Sequence, residues 1–291
     1  MACRFFCVLI FPSFSRAELF GQPSTHNDSL FTPSLGRTKS FIALLPSGYD
    51  VTKRYPVLYL LHGLTGNYSN WISRTNLQKY AKPYALIIIM PDGENSWYVN
   101  SYTEARDRFE DYLIRDLPAY VEKKYSIDTT HRSIAGLSMG GYGALMLALR
   151  YPRRFFFAGG LSSAITVPRD IEAREKVGPL SMTIQGLKRV FGDNPNPFRS
   201  SHDVFRLYKN VSPDSLPYMY LAVGIQDHYL SFLPAHREFT DSLRAYGAAY
   251  EYHELPGKHN WEFWDREIQP LLKRLQEVLY DESPSRRSIP K

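Results

Sequence analysis

The sequence predicts an α/β fold with a doubly wound, mostly parallel sheet and helices on both faces. Short, uninterrupted apolar runs end in turn residues, which is typical of strands buried on both faces of a parallel sheet. Between these runs, apolar residues recur at intervals of three and four, which is typical of amphipathic helices. Their alternation predicts parallel strands joined by right-handed crossovers. The predicted strands cover residues 41–45, 57–61, 85–90, 133–137, 155–161, 218–223 and 250–255, and the predicted helices cover 71–80, 107–125, 141–149, 232–246 and 261–279.

Turn signals limit the first three predicted strands. They end at Pro46-Ser47-Gly48, at His62-Gly63 and at Pro91-Asp92-Gly93, respectively. The helix over 107–125 is predicted from six apolar positions at helical spacing, which are Phe109, Tyr112, Leu113, Leu117, Tyr120 and Val121.

Residues 163–215 depart from this alternation. They contain several prolines and the turn signal Gly192-Asp193-Asn194. Because so long a segment between strands is usually a functional insertion, we predict a partly helical, cap-like insertion over the carboxyl edge of the sheet. A surface helix pair with no catalytic role is the alternative.

Around the insertion, residues 37–280 are predicted to form a single domain. Residues 18–36, rich in Ser, Thr, Pro, Asn and Gly, predict an irregular lead-in, and residues 281–291 a flexible tail. Residues 1–17 have the pattern of a signal peptide, with Arg4, an apolar run too short to span a bilayer and a small-x-small cleavage site. Cleavage would predict a secreted or periplasmic protein without stable membrane insertion. A disordered leader or misassigned start would leave it cytoplasmic.

The composition excludes several classes of function. The chain is 44% hydrophobic and 22% charged, which is typical of a globular protein. Its net charge is +6, but no run of five like charges occurs, so no nucleic-acid partner is predicted. Cys3 and Cys7 are the only cysteines, which excludes a Cys-ligated zinc and a cysteine nucleophile from the body of the chain. Nucleotide and zinc motifs are absent, so the sequence predicts neither a cofactor nor a metal.

The strongest local signal is Gly136-Leu137-Ser138-Met139-Gly140, which lies between a predicted strand and a predicted helix. This is the context of a nucleophile elbow, in which the serine occupies a strained turn and the flanking glycines relieve crowding. A serine hydroxyl needs a base to remove its proton, so the hypothesis requires a histidine oriented by a carboxylate.

The two partners are expected in the chain order serine, acid, histidine. Asp227 follows the strand over 218–223, and His259 lies in the loop between the last strand and the last helix. Both positions are predicted at the sheet edge that carries Ser138. An N-cap role is the alternative for Asp227.

A developing oxyanion also needs backbone donors. The N–H of Met139 follows the nucleophile, and we assign the second N–H to Leu64, in the loop after an early strand. His62 is expected to hold that loop through side-chain hydrogen bonds. Trp97 and Tyr98 are candidates to line a substrate pocket, with an ordinary core role as the alternative.

These residues resemble the broad esterase family of α/β-hydrolases that includes formylglutathione hydrolases, tributyrin esterases, feruloyl esterases and mycolyltransferases. The resemblance runs from about Leu35 to the last helix, and its motifs are Tyr55 to Gly63, Trp71, Met90 to Gly93, Gly136 to Ala144, and His259 to Trp261 with Trp264. It implies an α/β-hydrolase fold and the same triad and oxyanion residues.

The chain looks most similar to the tributyrin esterase branch, through Gly66 to Trp71 and Ser96 to Tyr98. Formylglutathione hydrolases typically have histidine where this chain has Tyr142, which argues against a glutathione thioester. The sequence therefore predicts a serine carboxylesterase acting on short-chain or aryl esters. The substrate is a small-molecule ester, with a carbohydrate ester among the candidates.

Four alternatives stay open. They are a feruloyl or acetyl esterase of plant polysaccharide esters, a formylglutathione hydrolase-like thioesterase, an acyltransferase, and a catalytically silent binding protein of the same fold.

Overall fold

One eight-stranded sheet organises the chain, with the order β1-β2-β4-β3-β5-β6-β7-β8. The computed structural model describes residues 21–171, 182–193, 196–229 and 231–281. Strands β3 to β8 are parallel, and β1 and β2 are antiparallel additions at one side. The predicted α/β-hydrolase fold is confirmed. The strands are β1 (Ser24–Thr32), β2 (Arg37–Leu45), β3 (Tyr55–Leu61), β4 (Ile87–Pro91), β5 (Ile127–Leu137), β6 (Phe157–Leu161), β7 (Tyr218–Gly224) and β8 (Tyr250–Leu255).

The helices cover both faces of the sheet. Along β3, Val57, Tyr59 and Leu61 join one apolar cluster, whereas Leu58 and Leu60 join another on the opposite face. The helices are α1 (Asn70–Arg74), α2 (Leu77–Ala81), α3 (Phe109–Asp111), α4 (Leu117–Lys124), α5 (Met139–Arg150), α6 (Met182–Phe191), α7 (Pro197–Ser200), α8 (Val204–Leu207), α9 (Phe232–Tyr246) and α10 (Trp261–Tyr280). A π-helical turn over Tyr112–Asp116 joins α3 to α4. Among the described residues, no helix is long and apolar enough to cross a bilayer.

The expectation of an irregular lead-in over 18–36 is wrong for β1. This strand pairs antiparallel with β2 along its whole length, from Ser24 opposite Leu45 to Thr32 opposite Arg37. Most of its side chains are exposed, because the strand lies at the edge of the sheet. A polar composition is compatible with such a strand, since pairing with β2 satisfies its backbone.

The single helix predicted over 71–80 is instead two short helices. The break falls at Thr75 and Asn76, where side chains replace helical hydrogen bonds. The Leu77 N–H donates to Thr75 Oγ1 over 3.2 Å, and the Asn76 N–H donates to Asp265 Oδ1 of α10 over 2.7 Å. Tertiary contact therefore overrides the periodicity.

The described part of the predicted insertion over 163–215 is largely helical, and a buried polar cluster fixes it to the body. Glu110 accepts hydrogen bonds from Arg150 Nε at 2.9 Å and Tyr151 Oη at 2.6 Å, and lies 3.3 Å from His202 Nε2. The Tyr142 hydroxyl donates to the His202 carbonyl over 2.9 Å. Burial would raise the pKa of Glu110, but these partners lower it to about 2. Residues 172–181 and 194–195 of the insertion, the predicted signal peptide over 1–17 and the tail beyond Asp281 lie outside the described residues.

Candidate active site

Ser138 occupies the tight turn between β5 and α5. Its backbone has φ 51° and ψ −114°, a conformation that side chains other than glycine rarely adopt. The turn is held by hydrogen bonds, since the Ser138 N–H donates to the Leu161 carbonyl over 2.9 Å and the Ser138 carbonyl accepts from the Ala164 N–H over 3.1 Å. The end of β6 and the loop after it therefore hold the strained conformation.

The two glycines of the motif allow the turn to close. A Cβ at Gly136 would lie 2.5 Å from the Gly140 backbone, and a Cβ at Gly140 would lie 2.5 Å from the carbonyl oxygens of Leu61 and His62. Only glycine at both positions lets α5 begin this close to the ends of β3 and β5.

Ser138, His259 and Asp227 come together at the carboxyl edge of the sheet, although Asp227 and Ser138 lie on opposite sides of the insertion in sequence. His259 Nε2 lies 2.9 Å from Ser138 Oγ, and His259 Nδ1 lies 2.7 Å from Asp227 Oδ2. The other Asp227 oxygen accepts from the Tyr229 N–H over 2.9 Å. Because a carboxylate accepts at Nδ1, the Nδ1 atom carries a proton and Nε2 is free to accept from the serine hydroxyl.

Aromatic side chains enclose the His259 ring. The ring centroids of Tyr229, Trp264, Phe232 and His228 lie 4.8, 5.0, 5.4 and 5.5 Å away. The side chains of His259 and Asp227 are only 8% and 2% exposed. Their hydrogen bond is therefore shielded from water on most sides, which strengthens it.

The loop after β3 lies directly beside Ser138. A Cβ at Gly63 would be 2.6 Å from Leu137 Cδ1 and 3.6 Å from Ser138 Cβ, so glycine is needed for this approach. Within the described part of the chain, the N–H groups of Leu64 and Met139 have no hydrogen-bond acceptor. Both N–H groups are therefore available to a ligand, and their assignment to an oxyanion hole stays a prediction.

His62 fixes the orientation of one of these donors, as expected from its position. The Gly93 N–H donates to His62 Nε2 over 2.9 Å, so the proton of the ring is on Nδ1, which donates to the Gly63 carbonyl over 2.8 Å. The Gly63 carbonyl and the Leu64 N–H belong to one planar peptide. Fixing the carbonyl therefore also fixes the direction of the Leu64 N–H.

The loop after β4 supplies further supports that the sequence did not reveal. Asn95 Oδ1 accepts from the Thr65 N–H over 2.7 Å, and Asp92 lies 3.6 Å from His62 Nε2. Lys39, itself buried, lies 2.9 Å from Asp92. Burial would raise the pKa of Asp92, but Lys39 and the Glu94 N–H, which donates to Asp92 Oδ1 over 3.0 Å, hold it well below its usual range. Of these residues, only Asp92 had a signal in the sequence, as part of the Met90 to Gly93 motif.

Trp97 and Tyr98 were predicted to line a substrate pocket, and both are buried. The Tyr98 ring packs tightly against Gly93 and Gly143, and its hydroxyl donates to the His62 carbonyl over 2.8 Å. With no exposed surface, Tyr98 supports the loop after β3 and does not reach a substrate. Trp97 is 6% exposed and packs against Tyr142 and against Phe191 of the insertion. Its contact with a substrate stays a prediction.

Comparisons with known proteins give the family of the chain. The model of the Esterase family, described as "Putative esterase", matches residues 32–275. An acetyl esterase of Caldicellulosiruptor saccharolyticus is 27% identical over 262 residues, which cover 86% of this chain and 97% of that protein. The diacylglycerol acyltransferase/mycolyltransferase Ag85B of Mycobacterium leprae is 25% identical over 289 residues, which cover 90% of this chain and 87% of that protein. FphF, a fluorophosphonate-binding serine hydrolase of Staphylococcus aureus, has a TM-score of 0.75 at 23% identity and covers 88% of this chain and 99% of that one.

The mostly parallel sheet, with a strained serine at the turn after a central strand, defines the class as an α/β-hydrolase. The chain belongs to the Esterase family, and its activity class is the hydrolysis of carboxylic esters. The resemblance that its motifs indicated is confirmed.

Proposed function

We propose that this protein hydrolyses short-chain or aryl carboxylic esters through an acyl-enzyme on Ser138. One observation carries the proposal, namely the continuous hydrogen-bonded series from Ser138 Oγ through His259 to Asp227. A serine hydroxyl is a weak nucleophile, and a neutral imidazole with a free Nε2 is the base that activates it.

Each group has one role in the cycle. As Ser138 Oγ bonds to the ester carbonyl carbon, His259 Nε2 takes the hydroxyl proton. His259 then gives this proton to the ester oxygen, the C–O bond breaks, and the alcohol leaves. Water repeats the sequence on the acyl-enzyme, which releases the carboxylic acid and restores Ser138. Asp227 holds the imidazole in the required tautomer and stabilises the transient imidazolium.

The N–H groups of Leu64 and Met139 are proposed to form the oxyanion hole. Both lie beside Ser138 and have no acceptor within the described residues, so they are available to the negative charge that develops on the carbonyl oxygen. Loss of one such donor typically costs about 3 kcal/mol of transition-state stabilisation. The rigid support of the Leu64 peptide by His62 keeps this donor in place before the substrate arrives.

The test is covalent labelling combined with kinetics. A fluorophosphonate probe should label the protein on the tryptic peptide that contains Ser138, and p-nitrophenyl acetate should give a burst of p-nitrophenol. Ser138→Ala should abolish labelling and lower kcat by about 10⁶-fold, and Asp227→Asn should lower it by about 10⁴-fold. Ser73→Ala, at an exposed serine of α1, is the matched control and should behave as wild type. A label on another serine, or an active Ser138→Ala, would refute the proposal.

Acyl transfer is the second candidate, because a relative that covers 90% of this chain is named an acyltransferase. Both reactions pass through the same acyl-enzyme and differ only in whether water or an alcohol accepts the acyl group. Adding an alcohol acceptor to an ester reaction and measuring the ratio of new ester to free acid separates them. Hydrolysis predicts that free acid dominates at an acceptor concentration of about 10 mM.

A further inference from the structure

Only part of the aromatic enclosure of His259 is accessible to a ligand. Of the four rings around the imidazole, those of Phe232 and Trp264 are buried, at 3% and 7% exposure. Tyr229 is 41% exposed, and His228 is also exposed. Ile225, in the same loop between β7 and α9, is 47% exposed. We call Ile225, His228 and Tyr229 the apolar rim.

The exposure of this rim needs an explanation, because large apolar side chains rarely remain exposed beside a buried site without a use. The described residues include only six exposed large hydrophobic side chains, and two of them belong to this one loop. Tyr229 is held in position rather than free, since its ring stacks on Phe232 at 5.0 Å with an interplanar angle of 19°. A fixed, exposed ring is a binding surface that loses little entropy on contact.

The chemistry of the proposed reaction places one half of the substrate at the rim. His259 must donate its Nε2 proton to the departing ester oxygen, so this oxygen lies at the imidazole. The group attached to the oxygen must then pass the neighbours of the imidazole that are open to solvent. Those neighbours are His228, with its ring centroid 5.5 Å from that of His259, and Tyr229, at 4.8 Å.

We infer that the apolar rim binds the alcohol half of the ester and favours alcohols that carry a ring. The inference rests on the proposed function, because it uses the direction in which His259 returns its proton. Aromatic side chains interact best with rings, both aryl groups and the apolar faces of pyranose sugars, and such contacts change affinity by about threefold to tenfold. The rim therefore selects among alcohols, whereas the acyl group is recognised elsewhere.

Three acetate esters of primary alcohols test this inference. Benzyl acetate carries an aryl ring, a methyl glucoside acetylated at its primary hydroxyl carries a pyranose ring, and butyl acetate carries no ring. Tyr229→Leu should lower kcat/KM for at least one ring-bearing ester by about threefold to tenfold more than it lowers kcat/KM for butyl acetate. The ring-bearing ester that loses more kcat/KM shows whether the rim favours an aryl group or a pyranose sugar.

Two further variants separate recognition from support of His259. Tyr229→Phe keeps the ring and should keep the selectivity of the wild type. Tyr280→Leu removes an equally large ring that is 63% exposed at the far end of α10, about 30 Å along the helix from Trp261, and should change nothing. A fall by one common factor for all three esters would mean that Tyr229 only positions His259, and would overturn the inference.

The acyl-enzyme gives an independent readout. The alcohol has left before deacylation, so Tyr229→Leu should lower the deacylation rate of the acetyl-enzyme by no more than it lowers kcat/KM for butyl acetate. A fall in the deacylation rate as large as the fall for the ring-bearing ester would show that Tyr229 acts on His259 or on the acyl half, and would overturn the inference. Failure of the proposed function is distinguishable, because the wild type would then neither label with fluorophosphonate nor hydrolyse any of the three esters.

Discussion

The two edges of the sheet treat backbone strain differently. At the carboxyl edge of the parallel strands, most positive φ angles fall on residues with side chains, although Gly36 before β2 and Gly257 after β8 also have positive φ. All six such residues in the described part of the chain follow β3, β4, β5 or β6, and they are Thr65, Glu94, Trp97, Tyr98, Ser138 and Ser162. At the opposite edge, the turns before β3 and β8 use glycine, with Gly48 at φ 65° and Gly247 at φ 82°.

This difference shows where the fold keeps unfavourable backbone conformations. A non-glycine residue with positive φ costs about 1–3 kcal/mol, and glycine avoids most of it. At the amino edge, where the turns only connect elements, glycine avoids this conformational free energy. The carboxyl edge keeps these conformations because the side chains themselves are used there, Ser138 as the proposed nucleophile and Tyr98 as the support of the loop after β3.

Two glycine substitutions compare the packing of the carboxyl edge with that of an open helix. Gly140→Ala places a methyl group 2.5 Å from two backbone carbonyls, so we expect a loss of about 3 kcal/mol in the free energy of unfolding. The shift of α5 should also displace the Met139 N–H and lower kcat/KM by at least about 10²-fold. Urea denaturation and ester kinetics measure both effects.

The matched control is Gly186→Ala in the described part of α6, where nothing lies within 4 Å of the added Cβ. Alanine is the better helix former, so this variant should be stabilised by up to about 1 kcal/mol and retain activity. Equal behaviour of the two variants would show that the elbow is no more tightly packed than the insertion.

A buried histidine, His236, makes the stability of the fold depend on pH. His236 of α9 is fully buried, its Nδ1 lies 2.7 Å from the Phe232 carbonyl, and its Nε2 has no partner. Burial lowers its pKa to about 4. The unfolded chain binds a proton near pH 6.5 and the folded one does not, so stability is full above pH 6.5 and falls by about 3 kcal/mol as the pH drops to 4.

We expect His236→Leu to remove this part of the pH dependence of the free energy of unfolding, measured by urea denaturation at pH 4 to 8. His26→Leu, at an exposed histidine of β1, is the control and should keep the slope of the wild type. A slope that His236→Leu leaves unchanged would show that acid destabilisation arises elsewhere.

The smallest expected effect is the free energy of the strained backbone at Ser138. Ser138→Gly and Ser138→Ala both remove the hydroxyl, but only glycine relaxes the φ of 51°. We expect Ser138→Gly to be more stable than Ser138→Ala by about 1 kcal/mol in thermal or urea unfolding. Gly247→Ala, where the nearest contact of the new Cβ would be 3.9 Å away, should lose about 1 kcal/mol through φ alone and keep its activity. Equal stability of the two Ser138 variants would mean that the elbow is not strained.

Sequence patterns predicted those elements whose burial follows a simple period. The limits of α9 and β8 match the predicted residues 232–246 and 250–255, because α9 has one apolar side and a glycine at its end, and β8 is bounded by turns. The edge strand β1 was missed because its polar side chains give no period, and its pairing with β2 is visible only in three dimensions.

The candidate site likewise has residues that the sequence predicted and residues that it did not. Chain order and turn context predicted which residues converge, because the carboxyl ends of parallel strands meet at one edge. The supports of the site were not predictable, since Lys39, Asp92 and Asn95 act through contacts between separate loops. The rim residues carry no motif, because exposure next to a buried imidazole is a property of the folded surface.

The polar cluster around Glu110 has a consequence for protein engineering. One buried carboxylate binds the insertion through His202 and helix α5, which begins directly after Ser138, through Arg150. A chimaera that exchanged residues 196–215 alone would remove one of these partners and disturb the helix that begins next to Ser138. Transplanting a substrate range from another esterase would therefore require Glu110, Tyr142 and Arg150 to be exchanged together with the insertion.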